Sequence, residues 1–304
     1  MDYRRKFRKA GGFMKNKWVK LWIAAFLAPT IAVLCLFYLI PILTVLVTGF
    51  TDWNGMSKPV FVGFDNYVKL ISYDNTFLIS MKNLFLWSLI AATAHVGFGT
   101  LVAFVLYKKR FGWRLVRGAF MIPMVISSAA WAMIYNLIFN DEYGLINNGV
   151  RKLGFGNFHV SWFYESPAAF FAITLTWLFY AVYVTLIVYN DLMAIPKEVH
   201  EAALLDGASE WQVTRFINIP LVKNAIATGI ILSVTARIAG FEEVALTSRG
   251  GPGNDTYNIT LMLYDGIVNY QHGYANSAAT IMILLGMLVM VIINRAFKMN
   301  ERTY

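Results

Sequence analysis

Residues 221–246 read LVKNAIATGIILSVTARIAGFEEVAL, and whether this stretch crosses a membrane decides the fold. A helix spanning about 30 Å of hydrocarbon needs about 20 mostly apolar residues, and it satisfies its own backbone hydrogen bonds. Arg237, Glu242 and Glu243 interrupt this run, so hydropathy alone leaves it ambiguous. Five other runs are free of Asp, Glu, Lys and Arg: 21–51, 83–107, 118–140, 166–190 and 273–294. The basic residues resolve the count. With six spans, 19 of the 26 Lys and Arg fall on one side, in segments 1–20, 108–117 and 192–223 and after residue 294, which leaves seven on the other. Positive charge stays cytoplasmic during insertion, so this division predicts six spans with both termini in the cytosol. Dropping the fifth span would put Arg295, Lys298 and Arg302 outside.

The composition agrees, with 58% hydrophobic residues, 14% charged and a mean hydropathy of +0.55, values that suit a lipid-embedded chain. The net charge of +9 does not point to nucleic acid, because the basic residues gather in short segments between apolar runs. The single cysteine, Cys35, excludes a disulfide framework, and His95, His159, His200 and His272 are too scattered for a metal site. No phosphate-cradling Walker loop, Gly-x-Ser-x-Gly or His-Glu-x-x-His occurs, so neither catalysis nor a cofactor is expected.

The chain divides into a basic segment 1–20, a six-span domain 21–298 and a tail 299–304. The first segment mixes Lys and Arg with Phe7, Phe13 and Trp18. It either lies on an anionic membrane surface or only fixes orientation. The first apolar run is too long for a signal peptide and is expected to remain as helix 1, with Pro29 and Pro41 kinking it or marking its ends. The external loops, 52–80 and 141–165, are too small to be folded domains, so another protein is expected to meet the solute outside.

The loop at 192–220 carries the most specific signal. Pro196 suits the first turn of a short helix, with Glu198 and Glu201 near its positive end and Gly207 as the left-handed residue that stops it. Ser209 with Gln212 forms a capping-box pattern opening a second helix toward Pro220. The product is a helical elbow on the cytosolic face, with the small pair Ala202-Ala203 permitting close approach and Glu201 offering a charge.

Glu201-Ala202-Ala203, Gly207, Ile217 and Ile219-Pro220 resemble the EAA motif of binding-protein-dependent ABC importer permeases, with Ile219 where leucine is usual. Pro196-Lys197-Glu198, Asp206-Gly207-Ala208 and Trp211 look like the carbohydrate-uptake branch, as do Phe241-Glu242, Leu246-Thr247, Gly250-Gly251-Pro252 and Gly273-Tyr274-Ala275. Here Ser248 and Arg249 stand where one residue is expected. The resemblance implies an all-α, MetI-like permease fold with six transmembrane helices in a bacterial cell membrane. It also implies an ATPase-coupling helix at Glu201, Ala202, Ala203, Asp206 and Gly207. The implied partners are a second homologous permease, two ABC ATPase subunits, an extracytoplasmic solute-binding protein and a carbohydrate. Importers of glycerol-phosphate, amino acids or peptides remain open, and so does an ion-gradient carrier.

Within the spans, Arg237 is expected near the middle of the fifth, where a cation is costly. Either it pairs with an acidic neighbour or it lines the translocation path. Glu242, Tyr180, Tyr183 and Asn136 are further candidates for the path, with Trp177 and Tyr135 beside them, although aromatics near span ends also serve as interfacial anchors. His95 is expected to hydrogen-bond between helices.

Overall fold

The computed structural model describes residues 17–298, so most of the basic segment 1–20 and all of the tail 299–304 lie outside the described residues. Four helices are long and apolar enough to span a membrane alone: α1 (Trp18–Thr48), α3 (Asn75–Tyr107), α7 (Ala168–Ala194) and α13 (His272–Ala296). Two further spans are bent pairs. The run expected as one straight helix at 118–140 is α4 (Trp113–Val125) and α5 (Ser128–Ile138), meeting at 107°. Pro123 in the last turn of α4 and the Ser127 side chain, which caps α5 by accepting from the Ala130 amide, explain the break. The fifth span is α10 (Lys223–Ala239), set at 65° to α9 (Glu210–Leu221).

Neither proline ends α1; a π-wound turn at Cys35–Leu39 precedes Pro41 and accommodates its missing N–H. The first half of α1 stands away from the bundle, with Trp22 and Phe26 respectively 73% and 85% exposed, whereas its last turn packs on α13, where the Asn276 amide donates to the Thr48 hydroxyl. Apolar surface of that extent needs lipid or another protein to cover it.

Between α1 and α3 lie a two-stranded antiparallel hairpin, β1 (Thr51–Asp52) with β2 (Val60–Phe61), and α2 (Asp65–Ser72). The hairpin is tied to the start of α13. The Gly273 amide donates to the Trp53 carbonyl at 2.9 Å, and a Cβ at Gly273 would come within 1.9 Å of the Thr51 oxygen. Only glycine permits that approach. Asn66 donates to the Gly49 and Thr51 carbonyls, closing the same corner.

The bundle centre is built by α3, α7 and α10 around Val96, Ala103, Ala181, Val184, Val188 and Val222. Small residues bring the backbones together: Gly99 faces Ala181 and Val184, Gly229 also faces Val184, and the Thr185 hydroxyl donates to the Gly99 carbonyl at 2.9 Å. A second cluster around Trp87, Ile173, Trp177 and Leu261 fills the end nearer the hairpin. After α10 come α11 (Glu242–Ala245) and α12 (Ile259–Val268). The second of these, an apolar helix of ten residues, is announced by Asn258, whose side chain caps the Leu261 amide at 2.9 Å. α6 (Leu145–Lys152) and α8 (Lys197–Leu205) complete the described helices.

Candidate functional site

Two places bring sequence-marked residues together. At the elbow, Pro196 precedes α8 as its cap instead of lying in the first turn. Gly207 adopts φ +79°, and the Gly207 and Ala208 amides donate to the Leu204 and Ala203 carbonyls at 3.0 Å each. These two bonds satisfy orphan carbonyls at the helix end and require a left-handed residue between them. Ser209 and Gln212 form the expected reciprocal cap on α9. The two helices are braced further by His200, whose Nε2–H donates to Asn218 Oδ1 at 2.8 Å. Lys108, at the end of α3, bonds Glu210 at 2.7 Å and thereby holds its carboxyl below the usual range.

This geometry divides the motif by face. Ala203 is buried, so it does not offer surface. Glu201, Ala202, Leu204, Leu205 and Asp206 are exposed, with Leu205 at 89%. A short helix presenting bare leucines beside two carboxylates is more than a connector needs.

The second place is a cavity of about 220 Å³ where α4 and α5 break, lined by Trp131, Tyr180 and Tyr183 among others and closed by Arg237, Glu242 and Glu243. Arg237 lies in the last turn of α10, at the end of the span and not near its middle. Of the two neighbouring acids it takes Glu243, at 3.1 Å. Its guanidinium also sits 4.4 Å from the centre of the Trp177 ring. Gly240 ends α10 in an extended conformation, and α11 then turns Glu243 back toward Arg237. Glu242 lines the cavity as an exposed residue.

Tyr180 falls in the interruption of α7 between Leu178 and Val182, which turns its ring into the cavity against Trp131, at 5.6 Å. Trp131 donates to the Thr176 carbonyl at 2.8 Å. Asn136 is not in this cavity; it donates to the Leu246 carbonyl at 3.1 Å and lines a separate recess with Tyr143 and Trp162. His95 bridges helices as expected, with Nδ1–H donating to the Leu178 carbonyl at 2.9 Å and its ring against Trp177. Trp131 and Glu243 were not singled out as site residues by the sequence. Trp131, nine residues before Asn140 in an apolar run, gave no pattern that could separate it from a packing residue.

Comparison with known proteins follows this geometry. Residues 95–303 match the model of the family described as binding-protein-dependent transport system inner membrane component. The chain is 27% identical over 289 residues, 94% of its length and 95% of the relative's, to the probable starch degradation products transport system permease protein AmyD of Thermoanaerobacterium thermosulfurigenes. It is 30% identical to the diacetylchitobiose uptake system permease protein NgcF of Streptomyces coelicolor, with 92% of this chain and 82% of that one covered. A chain in the crystal structure of a bacterial alginate ABC transporter, in complex with an alginate pentasaccharide-bound periplasmic protein, superposes with a TM-score of 0.78. That superposition is at 19% identity and covers 90% of this chain and 93% of that one. At that identity the likeness speaks to the fold, and with the family match over most of the chain the conclusion is that this all-α membrane protein belongs to the inner membrane components of binding-protein-dependent transport systems.

Proposed function

We propose that the chain is one of two pore-forming permease subunits of an ATP-driven importer for an oligosaccharide, working by alternating access. The elbow carries this reading: a rigid, capped pair of helices whose exposed Glu201, Ala202, Leu204 and Leu205 have the form of a docking surface for an ATPase subunit. ATP-driven closure of two such subunits would draw the elbows together and turn the path outward to take solute from an extracytoplasmic binding protein. Relatives named for starch degradation products and diacetylchitobiose support a saccharide as solute. So does a cavity walled by Trp131, Tyr180 and Tyr183, since aromatic faces beside polar groups suit sugar rings. Its volume of about 220 Å³ lies below the ~300–1,000 Å³ of ordinary ligand pockets, which fits a path completed by a second permease subunit. Pairing of Arg237 with Glu243, with Glu242 as a further carboxylate, favours a neutral solute over an acidic one. Importers of glycerol-phosphate, amino acids or peptides do not call for that aromatic wall.

The test is reconstitution. Assembled with its partners in liposomes, the chain is expected to take up saccharide only with ATP and binding protein present. Uptake driven by an ion gradient, by this polypeptide alone and without nucleotide, would establish a carrier instead.

The uneven Lys and Arg support an orientation with the elbow and both termini in the cytosol and the hairpin outside, in a bacterial cell membrane like those of the relatives. In a variant lacking Cys35, cysteines at the exposed positions Ser57 and Asn157 are expected to react with an impermeant reagent on intact cells, and one at Ser209 only after permeabilisation. Labelling of Ser209 from outside would invert the assignment.

A further inference from the structure

A further groove lies where the last turns of α3 meet the first turn of α9; it shares Lys108 and Glu210 with the elbow, but no residue of α8 lines it. It encloses about 480 Å³. Its wall on the α3 side is apolar, made by Leu101, Phe104 and Val105, and Leu101 and Val105 are 60% and 55% exposed. Its other end is cationic and aromatic, made by Lys108, Arg110 and Trp211. From Leu101 to Lys108 is seven residues, about 10 Å along a helix, so the lining passes from hydrocarbon-like to charged over the depth at which a bilayer changes from acyl chain to headgroup.

The charges favour one class of headgroup. Lys108 is already bonded to Glu210, the only carboxylate lining the groove, and that pair is neutral together. Arg110 makes no ion pair within contact distance among the described residues, although its charge also reaches Glu210, so with two cations against one carboxylate the groove keeps a net positive charge. The 108–117 segment adds Lys109, Arg114 and Arg117 nearby in sequence. A guanidinium offers a planar fork that matches phosphate, and basic pockets at the cytosolic ends of spans attract anionic lipids. Trp211, 64% exposed at the same level, has the amphipathic ring found at membrane interfaces. A free phosphate would use the cations but leave the apolar wall uncovered.

We propose that this groove binds an anionic phospholipid of the inner leaflet, with its phosphate on Arg110 and an acyl chain along Leu101 and Val105. The inference rests on the cytosolic orientation proposed above. Because Glu210 and Trp211 open the second arm of the elbow, a seated headgroup braces that arm, and ATPase coupling responds to the anionic lipid content of the membrane.

The test uses the assembled importer, with lipid retention measured by native mass spectrometry and binding-protein-stimulated ATP hydrolysis measured in nanodiscs of rising phosphatidylglycerol content in phosphatidylcholine of the same acyl chains. Wild type is expected to retain phosphatidylglycerol over phosphatidylcholine and to hydrolyse faster as its fraction rises. Arg110→Gln is expected to lower retention several-fold and flatten that rise. Arg114→Gln, whose guanidinium sits over Trp113 outside the groove, is expected to do neither. Equal retention by wild type and Arg110→Gln would overturn the proposal. Displacement of the lipid by inorganic phosphate would reassign the groove to a soluble anion. Retention by the isolated permease but not by the assembled importer would show an ATPase subunit covering it. Lipid retention is read without transport, so failure of the saccharide reading leaves it untouched, whereas external labelling at Ser209 would move the groove to the outer leaflet.

Discussion

Gly207→Pro is expected to abolish uptake by the assembled importer, and Glu201→Lys to lower it by at least about tenfold, while both variants reach the membrane at wild-type levels. Proline fixes φ near −65° and has no N–H, whereas Gly207 holds φ +79° and donates to the Leu204 carbonyl. Losing that bond and forbidding that dihedral swings α8 away from α9. No Cβ clash contributes, because open space surrounds Gly207, so the effect is one of backbone conformation alone. Glu201 is exposed, so its reversal leaves the elbow folded and acts on whatever docks there. A like charge placed against a basic partner costs several kcal/mol at an interface, and about 1.4 kcal/mol is already tenfold in occupancy. Ala203 behaves differently from the exposed Ala202. Because Ala203 is buried, Ala203→Leu is expected to overpack the inner side of the elbow and displace α8, whereas Ala202→Leu adds bulk on its exposed face. The measurements are uptake, ATPase stimulation by binding protein, and retention of the ATPase subunit on purification. If all three stay at wild-type levels in Gly207→Pro and Glu201→Lys, the elbow is not the coupling element.

The elbow was legible in the sequence because its signals are local. Pro196, Gly207 and the Ser209–Gln212 pair each restrict a backbone angle or satisfy a particular amide, whatever surrounds them. Five of the apolar runs were legible for the same reason, as length and composition are properties of a segment alone, whereas the sixth needed the distribution of Lys and Arg over the whole chain. Bending is not. Residues 118–140 are equally apolar whether straight or folded at 107°, and only Pro123 with Ser127 hints at the break. Position within a span also depends on where the helix ends, so Arg237 moved from mid-span to the last turn once Gly240 stopped α10. The choice between Glu242 and Glu243 was beyond the sequence too, because adjacent residues point to different sides and tertiary packing decides which of them meets the guanidinium. Asn136 shows the converse. A polar residue in an apolar run suggested the path, yet its amide is used to hold the Leu246 carbonyl.

Breaking the Arg237–Glu243 pair is the other change with a large expected effect. Both side chains are mostly buried, at 14% and 23% exposure, and the guanidinium is held between a carboxylate and the Trp177 ring. Glu243→Gln removes the countercharge and leaves a cation in a low-dielectric site, which costs about 3 kcal/mol where such pairs are buried. Glu242 is the only other carboxylate lining the cavity, and it lies at the exposed rim. The single variant is therefore expected to unfold at lower temperature and to transport poorly. Replacing both members by apolar residues removes the stranded charge, and buried pairs exchanged in this way are often neutral or more stable. Arg237→Leu combined with Glu243→Leu is thus expected to regain the melting temperature of wild type. Uptake separates a structural role from a role in the path. A stable double variant whose uptake stays at least about tenfold down, equivalent to about 1.4 kcal/mol on the transport barrier, places the pair on the route the solute takes. A stable double variant that transports normally makes it a staple between α10 and α11, and the path must then be sought among Trp131, Tyr180 and Tyr183, which line the same cavity.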